Sequence, residues 1–296
     1  MKTVDLISNV HGYPGGIDLT FECNNNCVFC FNNYKRGRPC MPLEEAKQKA
    51  DEIRAQGKKI VRLCGSEPTL YPFLEDLAAH IFAAGGKFAL STNCRRFADA
   101  SLALRLKNLG LTSVYTSVHG HTPELLESIT GAPGSFNEIM TGIQNLISAG
   151  VAVETNTTIC SLNYPQLPQI ARFICGRFPK IFRSRFSYLY LKNNENLKHL
   201  LVPLDEARLH LEAALDIIRE AGKDYLVEKG PRCLAPHYEN FFKAESFVSE
   251  INQKPEVCGN CQYANSPGCV GVSAQYLERF SQRGIVPFPR MVAKNG

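Results

Sequence analysis

Cys23, Cys27 and Cys30 stand in the order C-x3-C-x2-C, with Phe29 just before the last of them. Thiolates are the usual ligands of a [4Fe–4S] cluster, one to each of its four irons. Three thiolates leave one iron open to a group that is not protein. The alternative for clustered cysteines is structural zinc, which takes four ligands and often draws them from paired cysteines. No fourth cysteine or histidine lies in this loop: His11 precedes Cys23 by twelve residues, and Cys40 follows Cys30 by ten. A second group, Cys233, Cys258, Cys261 and Cys269, has the spacing C-x24-C-x2-C-x7-C. Four thiolates satisfy a fully ligated cluster or a Zn(Cys)4 site equally well. His237 is a further candidate ligand, and spacing alone does not choose.

Cys64-Gly65-Ser66-Glu67-Pro68 closes a predicted strand. Small residues let backbone approach a ligand, and Pro68 stiffens the turn. Strand-end carbonyls and the Glu67 carboxylate can accept hydrogen bonds from an ammonium group. Ser91-Thr92-Asn93 and Ser117-Val118-His119-Gly120-His121 close two further strands. Ser117 and His119 alternate with Val118 and so share a face. Together these motifs resemble those of the radical S-adenosylmethionine (radical SAM) enzymes. The cysteine loop is similar to the family signature, and Gly65–Pro68 to its GGEP motif with Ser66 in place of the second glycine.

The resemblance implies that Cys23, Cys27 and Cys30 hold a [4Fe–4S] cluster whose open iron chelates SAM. It implies SAM contacts from Phe29, Gly65, Ser66, Glu67, Pro68, Thr92, Asn93, Ser117, His119, Asn156 and Ile159, with Phe29 and Ile159 against the adenine. It further implies reductive cleavage of SAM to a 5′-deoxyadenosyl radical, driven by a flavodoxin- or ferredoxin-type reductant. The rear cysteines resemble the auxiliary-cluster modules called SPASM and twitch, their number matching the smaller twitch arrangement. That implies a second, auxiliary [4Fe–4S] cluster on Cys233, Cys258, Cys261 and Cys269, with zinc as the alternative. An auxiliary cluster suits oxidation of a substrate after hydrogen abstraction. The substrate expected is a ribosomally made peptide; the alternative is a small metabolite, nucleotide, sugar or cofactor precursor. A reading of another class is a non-catalytic iron–sulfur or zinc protein, which retention of Glu67 beside all three loop cysteines opposes.

The bulk properties agree. With 44% hydrophobic and 21% charged residues, the chain has the composition of a globular protein. Its net charge of +5 is mild, and no Lys/Arg run long enough for a nucleic-acid arm appears. No apolar stretch reaches membrane-spanning length, so a cytoplasmic protein with no membrane partner is expected. Twelve cysteines in such a protein point to metal or redox chemistry. The five single ones, Cys40, Cys64, Cys94, Cys160 and Cys175, read as packing or site lining.

Short apolar runs alternate with helical patterns from residue 17 onward. Strands are expected over 17–21, 59–64, 87–92, 113–118, 151–160 and 184–191. Helices are expected over 42–56, 73–84, 98–109, 135–150 and 166–178. Alternation of this kind makes a parallel sheet with right-handed crossovers. The expected fold is α/β, a partial (β/α)6 TIM-like barrel, with the chemistry at the C-terminal ends of its strands. A polar linker is expected over 192–201, then a helix over 203–221, then a loop-rich module. The expected division is a barrel over residues 1–200 and an auxiliary-cluster domain over 201–296. Arg183, Arg185, Tyr188 and Tyr190 line the sixth strand, where an inward arginine would clamp a carboxylate.

Overall fold

The computed structural model describes residues 16–191, 195–241, 252–266 and 269–289. Seven strands lie in one sheet in the order of the chain: β1 (Gly16–Thr20), β2 (Ile60–Gly65), β3 (Lys87–Ser91), β4 (Leu111–Ser117), β5 (Ala152–Ile159), β6 (Arg183–Tyr188) and β7 (Asp224–Glu228). From β1 to β5 each strand pairs in parallel with the next. The helices are α1 (Leu43–Ala55), α2 (Leu74–Ala83), α3 (Ala100–Asn108), α4 (Pro123–Thr130), α5 (Ser135–Ser148), α6 (Leu167–Arg177), α7 (Leu204–Glu220) and α8 (Ala274–Phe280). This is the α/β strand–helix alternation of a partial TIM-like barrel. Among the described residues no helix is long and apolar enough to cross a membrane.

The sheet exceeds the six expected strands by one. β7 was hidden because its five residues, DYLVE, carry an acid at each end and only three residues between. The short α4 and α8 were likewise hidden, α4 behind a turn-like Thr-Pro start and α8 within a loop-rich stretch. Both start on a hydroxyl N-cap: Thr122 accepts from the Leu125 N–H, and Ser273 from the Tyr276 N–H. Part of the linker expected over 192–201 is ordered, with a 3-10 helix at Glu195–Leu200; residues 192–194 lie outside the described residues.

The chain falls into two compact units, residues 1–156 with 178–183 and residues 157–177 with 184–296. In the first, Ile17, Leu19, Val61, Leu63, Phe88, Leu90, Val114 and Val153 are buried. They alternate with Asp18, Arg62, Cys64, Ser91 and Ser117, so one face of the sheet is apolar and the other polar. The apolar stripes of α2 (Leu74, Leu77, Ile81) and α5 (Ile139, Ile143, Leu146) are buried in this unit. Burying one such side chain is worth about 1.5–3 kcal/mol. On the polar face Cys64 donates its S–H to Asp18 at 3.2 Å, and Arg62 donates Nε and Nη2 to the Ser91 hydroxyl at 3.0 and 2.8 Å.

In the second unit α6 packs on α7, and α7 on β7. Arg185 donates to Glu228 at 2.5 Å, and Ser187 donates to its other oxygen at 2.9 Å. Burial works to raise the Glu228 carboxyl, but Arg185 and Lys229 beside it hold it down to about 2. Arg185 is therefore committed to a carboxylate of the protein. Cys94 and Cys160 are fully buried, as packing residues are.

Candidate active site and metal centres

The cysteine loop leaves β1 at Thr20 and is clamped from several sides. The β1–β2 register slips between Asp18 and Thr20, which brings Thr20 opposite Gly65. There the Ser66 N–H donates to the Thr20 carbonyl at 2.9 Å and the Glu67 N–H to the Glu22 carbonyl at 3.0 Å. Gly65 has φ +125°, and a Cβ on it would lie 2.3 Å from the Thr20 oxygen. Only glycine fits so close an approach. The C-terminal end of α4 holds the loop through the Asn26 N–H to Thr130 (2.8 Å) and the Val28 N–H to Ile129 (2.9 Å). Gly131 caps α4 at φ +59°, where a Cβ would meet the Asn26 oxygen at 2.5 Å.

Two arginines that sequence reasoning missed complete the clamp. Arg95, just past β3, donates to the Asn24 carbonyl and to Asn25 Oδ1, and Glu138 of α5 braces it. Arg36 donates to the Asn25 carbonyl. The available signal was the Arg95-Arg96 pair directly after a strand-end Asn-Cys.

Within the loop the Cys30 N–H donates to the Cys27 carbonyl at 3.0 Å. Cys23 Sγ accepts from the Asn25 N–H at 3.4 Å and from Asn93 Nδ2 at 3.7 Å. Burial, with Cys30 and Cys23 adding to it, pushes the Cys27 thiol up to about 12. Burial also raises Cys23, against the pull of the Asn25 N–H, with Glu67 and Cys30 adding to the rise. Cys23 thus feels Cys30, and Cys27 feels both of the others. Ionising all three together is unfavourable unless a cationic centre takes up their charge. That is the chemistry of an iron–sulfur ligand set, and the trio fits one. Among the described residues no three His, Cys, Asp or Glu side chains are gathered as tightly as a single metal ion requires.

Glu67 is fully buried and accepts four hydrogen bonds. Its Oε1 takes the Thr69 N–H (3.0 Å), the Thr69 hydroxyl (2.6 Å) and the Thr92 hydroxyl (2.7 Å). Its Oε2 takes the Asn93 N–H at 2.7 Å. Burial drives its carboxyl upward, and the four donors pull it only part of the way back. Two of these donors are backbone amides, which can only donate, so both carboxyl oxygens serve as acceptors. It ties the β2 end to the β3 end, and through Asn93 to Asn24 (2.7 Å) and Cys23.

The other expected site residues fall as follows. Pro68 and Thr92 are buried and Ser66 is half-buried. Phe29 is half-buried, with His119 edge-on to it: centroids 5.1 Å apart, planes at 87°. Ser117 pairs with Asn156 in the β4–β5 register, and the Asn156 carbonyl accepts the Val118 N–H at 2.9 Å. Ile159 is fully buried and belongs to the second unit. The loop cysteines, Phe29, Gly65–Pro68, Thr92, Asn93 and His119 are thus brought together. Ser117 and Asn156 stand on the neighbouring strand ends.

Burial holds the His119 imidazole down to about 4, so it is neutral near pH 7. An unfolded chain protonates it near pH 6.5. As pH falls the unfolded state binds this proton first, so stability is lost between about pH 6.5 and 4, by up to roughly 3 kcal/mol. We expect urea titrations of the apoprotein at pH 7.5 and 5 to show this loss, and His119→Gln to reduce it. An unchanged acid limb in the variant would assign the loss elsewhere.

In the second unit all four rear cysteines line one pocket, together with Arg232, Tyr263 and Phe288. Burial pushes the Cys233 thiol up to about 11, with Cys269 and Cys258 adding to it. Cys258 is raised by burial and then by Cys269 and Cys261. The four sulfurs therefore share one electrostatic neighbourhood.

Residues 17–174 match the Radical SAM superfamily, and the chain is an enzyme of that superfamily. Its members use a [4Fe–4S] cluster and SAM. The chain is 30% identical over 259 residues to the AdoMet-dependent heme synthase of Methanosarcina barkeri, spanning 86% of this chain and 70% of that protein. It is 31% identical over 156 residues to the mycofactocin maturase MftC of Mycobacterium tuberculosis, spanning 52% of this chain and 39% of MftC. Streptococcus suis SuiB bound to S-adenosylmethionine shares the fold, with a TM-score of 0.60 at 18% identity over 77% of this chain. A second SuiB structure, bound to the precursor peptide SuiA, has a TM-score of 0.58 at 19% identity. The chain spans about half of SuiB, 53% in the first structure.

Proposed function

We propose that this enzyme cleaves SAM reductively and oxidatively modifies a ribosomally made peptide by hydrogen abstraction. The observation that carries the reading is the clamped three-thiol loop held against the glycine-lined end of β2. Cys23, Cys27 and Cys30 hold the first cluster. Bound there and reduced, a [4Fe–4S] cluster would supply the electron for reductive cleavage of SAM. The backbone of Gly65–Ser66 offers carbonyls to the SAM ammonium. Phe29 flanks the adenine, and Ser117, His119 and Asn156 supply polar groups to the ribose and carboxylate. Neutral His119 can accept or donate one hydrogen bond without adding charge. Glu67, Thr92 and Asn93 set the loop against the strand ends.

Cys233, Cys258, Cys261 and Cys269 hold the second, auxiliary [4Fe–4S] cluster. Four thiols lining one pocket can supply one thiolate to each iron of a cluster. Residues 1–200 form the barrel portion and 201–296 the auxiliary portion, and a flavodoxin- or ferredoxin-type protein supplies the electrons. The peptide reading is supported by SuiB, one structure of which holds the precursor peptide SuiA. The coverage of the heme synthase favours a second reading, a tetrapyrrole-type cofactor precursor.

Anaerobic reconstitution tests the proposal. The chain should bind about eight irons, and Cys258→Ala/Cys261→Ala about four. Dithionite and SAM should then give 5′-deoxyadenosine. Iron-loaded protein that makes none overturns the reading; four irons with one zinc removes the auxiliary cluster from it. Peptides encoded beside the gene should lose hydrogen mass during turnover. Turnover of tetrapyrroles instead would select the second reading.

A further inference from the structure

The segment after Cys30, residues 31–40, reads FNNYKRGRPC and carries Lys35, Arg36 and Arg38 with no acidic residue. Its aromatics face outward: Phe31 is 40% exposed, and Tyr34, at 62%, is the most exposed large aromatic among the described residues. The cations rest on rings or on backbone. Lys35 Nζ lies 4.5 Å from the Phe21 ring centre and 5.8 Å from that of Tyr34, and the Arg38 guanidinium 5.8 Å from Tyr34. Such contacts hold a charge in place without neutralising it. Arg36 donates to the Asn25 carbonyl, and its charge works to lower the Cys23 and Cys27 thiols. Among the described residues, Glu22 accepts the Gly37 N–H at 3.1 Å.

Three cations within four residues make this segment a positively charged patch among the described residues. It lies on the segment continuous with the cluster loop, and Phe31 directly follows Cys30. A partner touching Phe31 stands one residue from a thiolate of the first centre. We propose that the collar of Phe31, Tyr34, Lys35 and Arg38 is the docking surface for the reductant, a small acidic one-electron carrier protein. The inference rests on the radical SAM reading above. Positive charge steers an acidic carrier, and exposed rings supply a small apolar contact for a transient encounter.

The test uses the reconstituted holoenzyme with two reductants. One is flavodoxin kept reduced by NADPH and flavodoxin reductase; the other is dithionite, which needs no docking. For Lys35→Glu/Arg38→Glu, the flavodoxin concentration giving half-maximal 5′-deoxyadenosine formation should rise about tenfold at low salt. The gap should close as sodium chloride is added. Dithionite-driven cleavage, iron content and apoprotein stability should match the parent. Unaltered flavodoxin dependence overturns the proposal. So does a parallel fall with dithionite, which would assign the collar to SAM, cluster or substrate, an acidic peptide included. A parent chain inactive with dithionite overturns the radical SAM reading, and this inference with it.

Discussion

Cys27→Ala is expected to abolish 5′-deoxyadenosine formation while leaving the apoprotein folded. Cys27 shares its electrostatic neighbourhood with Cys23 and Cys30, and burial and those neighbours push its thiol up to about 12. In the apoprotein the group is then a neutral thiol, half-buried, and its removal is a modest change of about 1 kcal/mol. In the loaded protein the same group is one of three ligands. Its loss leaves two, too few to hold a cluster with one open iron. We expect bound iron to fall by about four per chain and SAM cleavage to fall at least about a thousandfold, which is roughly 4 kcal/mol of barrier. Iron analysis, the cluster's visible absorbance and product chromatography check this together. Retained iron with retained product would show that the loop is not the ligand set. Collapse of the apoprotein by circular dichroism would show that Cys27 acts through folding instead.

The second large effect belongs to Glu67. Glu67→Ala removes the acceptor of four hydrogen bonds in a fully buried place. The Thr69 and Thr92 hydroxyls can turn to other acceptors. The Thr69 and Asn93 amides cannot, and each buried orphan donor costs about 1–3 kcal/mol. A total loss of about 3–5 kcal/mol is expected from urea denaturation of the apoprotein. Glu67→Gln should fall between parent and alanine, because its amide nitrogen brings a donor against donors. Asn93 and Cys23 are held through this carboxylate, so SAM cleavage by the loaded variants should fall as well. The apoprotein measurement decides the role. If Glu67 acted only by touching SAM, the alanine variant would lose SAM binding and keep its stability. The expectation here is lost stability before any SAM is present.

Much of the architecture was legible because it is written in short-range pattern. Apolar residues at period two over 17–21 and at helical period over 135–148 specify their elements locally. β7 was not legible, because five residues with acidic ends carry too little pattern. Neither was the fate of Arg185: whether it faces Glu228 or the barrel mouth depends on which residue of β7 lies in reach. The clamp on the cysteine loop was out of view for the same reason. Arg95 and Asn24 lie 71 positions apart, and Asn93 and Asn24 lie 69 apart.

Residue identity and local spacing therefore determined the kind of chemistry available: three thiols at one turn, four more near the other end, and a strand–helix alternation to carry them. Tertiary structure alone decided how those groups are held. It saturated Glu67 with donors from two strand ends, set His119 edge-on to Phe29, and gathered four distant cysteines around one pocket. Such contacts depend on strand register and loop closure, which act between residues far apart in the chain and leave no periodic trace along it.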